Sequence, residues 1–330
     1  MEYTPFLLVF HITGRCNLQC VYCYASSYDR TDLKIEEVQD VLSQAAELGT
    51  KHVILSGGEP LLHPDFYKIA EYVKELRLKV HVTSNGTMID EISAEKLKSL
   101  DANVTISLDG SCSEVNDPLR GEGTFSSAIN SIDNLINSGV YTSMRMTLVK
   151  HNVSDVRNYI ELAMQHNVNR CIIERITGIR EIAQSFMLEP LIADVLRAFK
   201  IISEYRNANG FNVGSNDPLW LLFRKDLLEK YANKTHICGG CTAGVAAITV
   251  NPDLSVTPCP RLPIKVGNLR EDSLENIWHN SDVLQNLRNR DLFDGCSSCN
   301  YKYICGGCRG AAYAHGSYLG KDPHCWRINR

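Results

Sequence analysis

Three cysteines crowd into TGRCNLQCVYCYA, residues 13–25: Cys16, Cys20 and Cys23, spaced C-x3-C-x2-C. Thiolates suit both zinc and iron–sulfur clusters. A structural zinc site wants four protein ligands, and the next cysteine, Cys112, is far along the chain. A [4Fe–4S] cluster held by three cysteines leaves one iron open, and an open iron can bind a small molecule. The triplet therefore reads as an iron–sulfur site built one protein ligand short.

Of the thirteen cysteines, eleven lie in two fields. The second field comprises Cys238 and Cys241 (CGGC), Cys259, the block CSSCNYKYICGGC with Cys296, Cys299, Cys305 and Cys308, and Cys325. A disulfide framework would spread its cysteines more evenly, so both fields read as metal sites. Cys112 and Cys171 stand alone and read as buried small hydrophobes. None of the ten histidines shows ligand spacing. The start, MEYTPFLLVFHIT, has no basic n-region and no small-residue cleavage site, which points to a reducing, cytoplasmic setting. A net charge of -4 gives no reason to expect nucleic acid or an anionic membrane as partner. No apolar run approaches a membrane span.

These residues need elements to hold them. Short apolar runs alternate with helical periodicity: FLLVFHIT, HVILSGG, KVHVTSNG, NVTISLDG, YTSMRMTLV and RCIIERI read as six strands. Between them, IEEVQDVLSQAAELG, PDFYKIAEYVKEL with Pro64 at its start, SAEKLKSL with Ser93 as N-cap, TFSSAINSIDNLINSG and SDVRNYIELAMQHN read as helices. Such alternation implies βαβ crossovers and a parallel sheet. Six units are too few for a closed eight-stranded barrel, so the expected fold is α/β, an open (β/α)6 partial TIM barrel. From about residue 187 the pattern changes. Residues 187–235 read as a helical bridge after a barrel over 1–186. Residues 236–330 read as a small cysteine-rich α+β domain with a hairpin around Asn251-Pro252-Asp253. In parallel α/β folds chemistry collects at the carboxyl ends of strands. The cysteine triplet, GGEP (57–60), SNGT (84–87) and SLDG (107–110) all fall there.

C-x3-C-x2-C after the first strand of such a barrel, followed in order by SGGEPLLHPDF, TSNGT, ISLDG and NDPLRGEGTF, resembles the radical SAM superfamily over residues 6–176. The resemblance implies that the open iron binds the amino and carboxylate groups of S-adenosylmethionine. Gly57, Gly58 and Glu59 would meet the amino group, with the glycines allowing close backbone approach to the ligand. Arg120 would grip the carboxylate. Tyr22 would lie near the adenine, and Asn85 and Ser107 would complete the cofactor contacts.

The second field resembles the SPASM extension of that superfamily, which carries two auxiliary [4Fe–4S] clusters, making three in all. By that resemblance Cys238, Cys241, Cys259 and Cys308 hold one, and Cys296, Cys299, Cys305 and Cys325 the other. Two departures stand out: the block closes with x2 where x3 is usual, and Leu254 stands where the hairpin usually carries glycine. Paired zinc sites are the rival reading of the C-x2-C pairs.

The implied reaction is reductive cleavage of S-adenosylmethionine and hydrogen abstraction by a 5′-deoxyadenosyl radical, with electrons from a flavodoxin- or ferredoxin-type donor. The auxiliary clusters would accept an electron from the substrate. The expected substrate is large and enters between residues 177–190 and the auxiliary clusters. A peptide or protein side chain is the first expectation and a tetrapyrrole the second. The cysteine loop begins at residue 16, which leaves no room for a peptide-recognition domain before it and weighs against the first. The tail CGGCRGAAYAHGSYLGKDPHC favours the second. A tetrapyrrole would want arginines, with Arg175, Arg180, Arg261 and Arg309 as candidates. Arg145, Glu174 and Arg175 lie on the fifth and sixth strands, and alternation turns only some of them inward. No catalytic acid or base is identified. A non-catalytic iron–sulfur electron carrier is the alternative from a different class.

Overall fold

The computed structural model describes residues 3–178, 182–231 and 234–328. All six expected strands are present: β1 (Leu7–Thr13), β2 (His52–Gly57), β3 (Lys79–Ser84), β4 (Asn103–Ser107), β5 (Tyr141–Leu148) and β6 (Arg170–Arg175). They pair in parallel and in sequence order, the open barrel that the alternation implies. The covering helices are α1 (Ile35–Glu47), α2 (Phe66–Glu75), α3 (Glu91–Ser99), α4 (Ser113–Arg120), α5 (Thr124–Asn137) and α6 (Val156–Gln165).

Strand alternation sorts the side chains into two populations. Leu8 and Phe10 on β1, Val53 and Leu55 on β2, and Met144 and Met146 on β5 are fully buried in one core with Val38 and Leu42 of α1 and Ile69 of α2. The intervening positions face the concave side. Val9, Ile54 and Ile172 give that face branched apolar residues, as a packed barrel would. Toward the carboxyl ends of the strands it turns polar, with His11, Ser56, Thr83, Thr105, Arg145 and Glu174.

Two local readings are corrected. The N-cap of α3 is Asp90, not Ser93; its carboxylate accepts from the Ser93 amide at 2.8 Å. Helix α4, which carries Arg120 at its last position, was not expected, because NDPLR contains a proline.

The chain beyond the barrel does not form a separate sheet. Strand β7 (Val213–Gly214) pairs in parallel with β6, and β8 (Ala247–Val250) pairs in parallel with β1, from Leu7↔Ala247 to Phe10↔Val250. The expected hairpin joins β8 to β9 (Ser255–Thr257), and β10 (Gly267–Asn268) closes that edge. One ten-stranded sheet results, ordered β10-β9-β8-β1-β2-β3-β4-β5-β6-β7. Helices Ile192–Asn209 and Lys225–Tyr231 occupy the expected bridge. Among the described residues, no helix is long and apolar enough to cross a membrane.

Leu254 explains why glycine is usual at its position. Its φ is +62°, the left-handed region, yet its side chain is buried in the core. The conformation costs about 1–2 kcal/mol. Burial of the leucine, about 2–5 kcal/mol against truncation, outweighs that cost. Leu254→Gly should therefore destabilise the protein by about 1–3 kcal/mol despite the relieved backbone. An unchanged or raised melting temperature would show that the strain dominates.

Candidate active site

The loop after β1 has little regular structure of its own, and the ends of β2, β3 and α4 fix its shape. From β2, the Gly58 amide donates to the Thr13 carbonyl at 2.9 Å and the Glu59 amide to the Arg15 carbonyl at 2.8 Å. A Cβ on Gly57 would strike the Thr13 carbonyl, and one on Gly58 the Arg15 carbonyl. The glycines thus allow the close approach of the cysteine loop's own backbone. From β3, Asn85 Nδ2 donates to Asn17 Oδ1 at 2.9 Å, and Asn17 Nδ2 to Thr87 Oγ1 at 2.7 Å. From α4, the Leu119 carbonyl accepts from the Val21 amide at 3.0 Å.

Glu59 closes this ring from below. It is buried, and its carboxylate accepts from Ser84 Oγ at 2.9 Å, the Asn85 amide at 2.8 Å and the Leu61 amide at 3.3 Å. Burial pushes its carboxyl up to about 7, against the pull of those donors. The side chain expected to meet an amino group already holds β2 to β3. Ser107 is half-buried at the end of β4, beside Arg145 in the ladder.

Arg120 is also held. Its Nε donates to Asp109 Oδ2 at 2.6 Å and its Nη2 to the Tyr22 hydroxyl at 3.0 Å; neither bond uses Nη1. Tyr22 donates to the same Asp109 oxygen, and its ring packs against Leu119, Val149 and Ile176. Asp109 Oδ1 accepts from the Thr147 amide at 2.7 Å. Asp109 is the hub that sequence reasoning missed, although it stands inside the quoted SLDG.

The cysteines gather as two fields. Cys16, Cys20 and Cys23 are near enough to raise one another's thiol pKa, adding to burial, which takes Cys20 to about 11. In the second field Cys241 lies near enough to act in the same way on Cys259 and Cys308. Cys296, Cys299, Cys305 and Cys325 line one small shared cavity. Cys238 is placed beside this assembly by its amide bond to the Tyr303 carbonyl at 2.9 Å. Of the two lone cysteines, Cys171 is fully buried as expected, but Cys112 is only half-buried.

The surroundings fit iron–sulfur clusters. Arg290 and Arg309 are each 1% exposed, and Arg290 Nε and Arg309 Nε and Nη2 have no hydrogen-bond partner. Neither forms a carboxylate ion pair among the described residues; Arg290 instead feels Cys241, Cys305 and Cys296. A buried cation needs a counter-charge, and metal-bound thiolates supply one.

Of the arginines expected along a channel, Arg175 and Arg309 are unavailable. Arg175 faces away from the lumen and is spent on Asp217 and on Asp322, the latter at 2.9 Å and 2.5 Å. Arg309 is buried over Phe293 and donates to the Tyr318 and Gly320 carbonyls. Arg180 lies outside the described residues. Arg261 does reach the lumen, 3.8 Å from Glu174. Arg145 joins them there by alternation. The segment expected to border a channel is tied to the cysteine-rich region at its described ends: Glu189 meets His315 at 2.9 Å, and the Pro190 carbonyl meets His324 at 2.9 Å.

Residues 10–163 match the radical SAM superfamily and residues 238–300 the SPASM iron–sulfur cluster-binding domain. The chain is 30% identical to the AdoMet-dependent heme synthase of Methanosarcina barkeri, over 98% of this chain and 97% of that one. It is 29% identical to the mycofactocin maturase MftC of Mycolicibacterium smegmatis, over 97% of this chain and 82% of the relative. In fold it resembles Streptococcus suis SuiB bound to its precursor peptide SuiA, with a TM-score of 0.80 at 19% identity, covering 99% of this chain and 77% of that one. The chain belongs to the radical SAM superfamily and carries a C-terminal SPASM domain. It is an enzyme of that class, using S-adenosylmethionine and iron–sulfur clusters.

Arg175→Met would leave Asp217 and Asp322 buried and unpaired, at a cost of about 3–5 kcal/mol. Combining it with Asp217→Asn and Asp322→Asn should recover a large part of the lost melting temperature. A triple variant less stable than the single would show that the ion triad is not what holds these segments together.

Proposed function

We propose that the protein abstracts hydrogen from a large substrate held over the barrel mouth, and that the net change is an oxidation. The ring of strand ends around Cys16, Cys20 and Cys23 carries this reading, since it presents three thiols at one mouth and supplies no fourth. Cluster-bound S-adenosylmethionine, when present, supplies a 5′-deoxyadenosyl radical. The chain's own residues would hold and shield the cofactor: Arg120, fixed by Asp109 and Tyr22, would take the carboxylate; the Gly57–Gly58 backbone and Glu59 would take the amino group; Tyr22, Asn85 and Ser107 would border the rest.

The working division is a barrel over 1–186, a bridge over 187–235 and an auxiliary-cluster domain over 236–330. Cys238, Cys241, Cys259 and Cys308 would hold one auxiliary cluster, and Cys296, Cys299, Cys305 and Cys325 the other. An electron donor of flavodoxin or ferredoxin type completes the cycle.

The first substrate reading is a peptide or protein side chain, which the likeness to mycofactocin maturases, over 97% of this chain, supports. The second is a tetrapyrrole side chain, supported by the likeness to heme synthases. Incubation of the reduced enzyme with S-adenosylmethionine and either an iron coproporphyrin or candidate precursor peptides separates them. The substrate is the one that stimulates 5′-deoxyadenosine formation and is itself changed in mass.

Two further outcomes are expected. Anaerobic reconstitution should yield about twelve iron atoms per chain, falling to about eight when Cys16, Cys20 and Cys23 are all alanine. Zinc in place of an auxiliary cluster would refute the ligand sets. Arg120→Ala should weaken S-adenosylmethionine binding by about 1.5–3 kcal/mol with iron content retained. Unchanged affinity in equilibrium binding would remove Arg120 from the cofactor site.

A further inference from the structure

The lumen holds a charge arrangement that the cofactor contacts do not use. Arg145 on β5 and Glu174 on β6 sit on the concave face, in adjacent strands. Arg261, from the cysteine-rich region, comes within 3.8 Å of Glu174 on its other side. Glu174 also accepts from Asn216 Nδ2 at 2.6 Å. Burial works to raise its carboxyl, but Arg145 and Arg261 outweigh burial and hold it below the usual range. Two guanidinium groups thus share one carboxylate.

The sharing is unequal. Arg261 also lies beside Cys259 and Cys308, whose sulfurs would carry negative charge when metal-bound. Arg145 forms no carboxylate ion pair among the described residues, and its Nε is buried with no hydrogen-bond partner. A buried guanidinium N–H left without a partner is costly until an acceptor completes it. The planar guanidinium fork matches a carboxylate in two parallel bonds. Tyr24 lies near Arg145, between it and the first cysteine field. It is the residue after Cys23, its hydroxyl is 3.4 Å from His11 Nε2, and it feels both Arg145 and Cys259.

We propose that Arg145 and Arg261, flanking Glu174, form a subsite for a substrate carboxylate in the lumen between the two cysteine fields. The inference rests on the lumen being the substrate site. It is indifferent to whether the carboxylate is a tetrapyrrole propionate or an acidic group of a peptide. Arg145 supplies the open bidentate partner. Glu174 sets the spacing of the two guanidinium groups and excludes a second anion from the same position.

The test uses the full, cluster-reconstituted chain and two pairs of probes. One pair is iron coproporphyrin III and its tetramethyl ester; the other is an acidic peptide and the same peptide with every carboxylate amidated. Binding is followed by equilibrium titration for the wild type, Arg145→Met, Arg145→Lys and Arg261→Met. The expected result is that the free-acid member of one pair binds the wild type. Arg145→Met should then weaken it about tenfold or more, Arg145→Lys less, and S-adenosylmethionine affinity should move less than about threefold. The responding pair identifies the source of the carboxylate. Failure of both free acids to bind, binding indifferent to the arginines, or a loss that falls on S-adenosylmethionine instead would each overturn the subsite. Substrate-dependent 5′-deoxyadenosine formation from the ester or amide alone would sink the subsite and leave the proposed reaction standing. Arginine-dependent binding without any cofactor cleavage would do the reverse.

Discussion

Arg175 is the interaction on which the two halves of the molecule depend. It leaves β6 on the side away from the lumen and meets Asp217 of the bridge and Asp322 of the cysteine-rich region, all three essentially excluded from solvent. Such a triad is stable only if every charge is matched and hydrogen-bonded. Asp322 is matched twice, because its Oδ2 also accepts from the Cys308 amide at 2.7 Å. The same carboxylate lines the cavity of the other four cysteines. One ion triad therefore fixes the barrel's last strand, the bridge and both groups of the second field. At the other edge the β1–β8 ladder does the equivalent work with backbone bonds. Both cysteine fields are held in one rigid frame although more than two hundred residues separate them.

That frame explains which parts of the molecule were legible in the sequence. The six strands were legible because buried parallel strands write themselves as short apolar runs. The hairpin after β8 was legible because Asn-Pro-Asp leaves the chain few other choices. The continuation of the sheet through β7 and β8 was not, since strands of two and four residues carry no periodicity long enough to read. Helix α4 was hidden by Pro118, and the Asp90 cap by a serine three residues on that serves as the donor.

The site shows a sharper division. Residue types gave the cysteines and the strand-end motifs, but not what each motif touches. Gly57 and Gly58 look like a ligand cradle in one dimension and also form the bed of the cysteine loop. Glu59 looks free and is fully engaged by Ser84, Asn85 and Leu61. Asp109 looks like a turn residue and organises Tyr22, Arg120 and Thr147. In each case the deciding partner comes from another strand end, information that no local window contains.

Charge completes the argument. Arg290 and Arg309 are buried without carboxylates next to cysteines, and Arg145 is set in the lumen with only a shared one. The first pair is balanced once the thiols are ionised by metal. Arg145 has only Glu174 in its surroundings, a carboxylate that it shares with Arg261 and does not reach as an ion pair. The fold thus carries two separate sets of cations, Arg290 and Arg309 buried among cysteines, and Arg145 and Arg261 half-buried on the lumen side. Tyr24, within the field of Cys23, Arg145 and Cys259 at once, marks where the two meet.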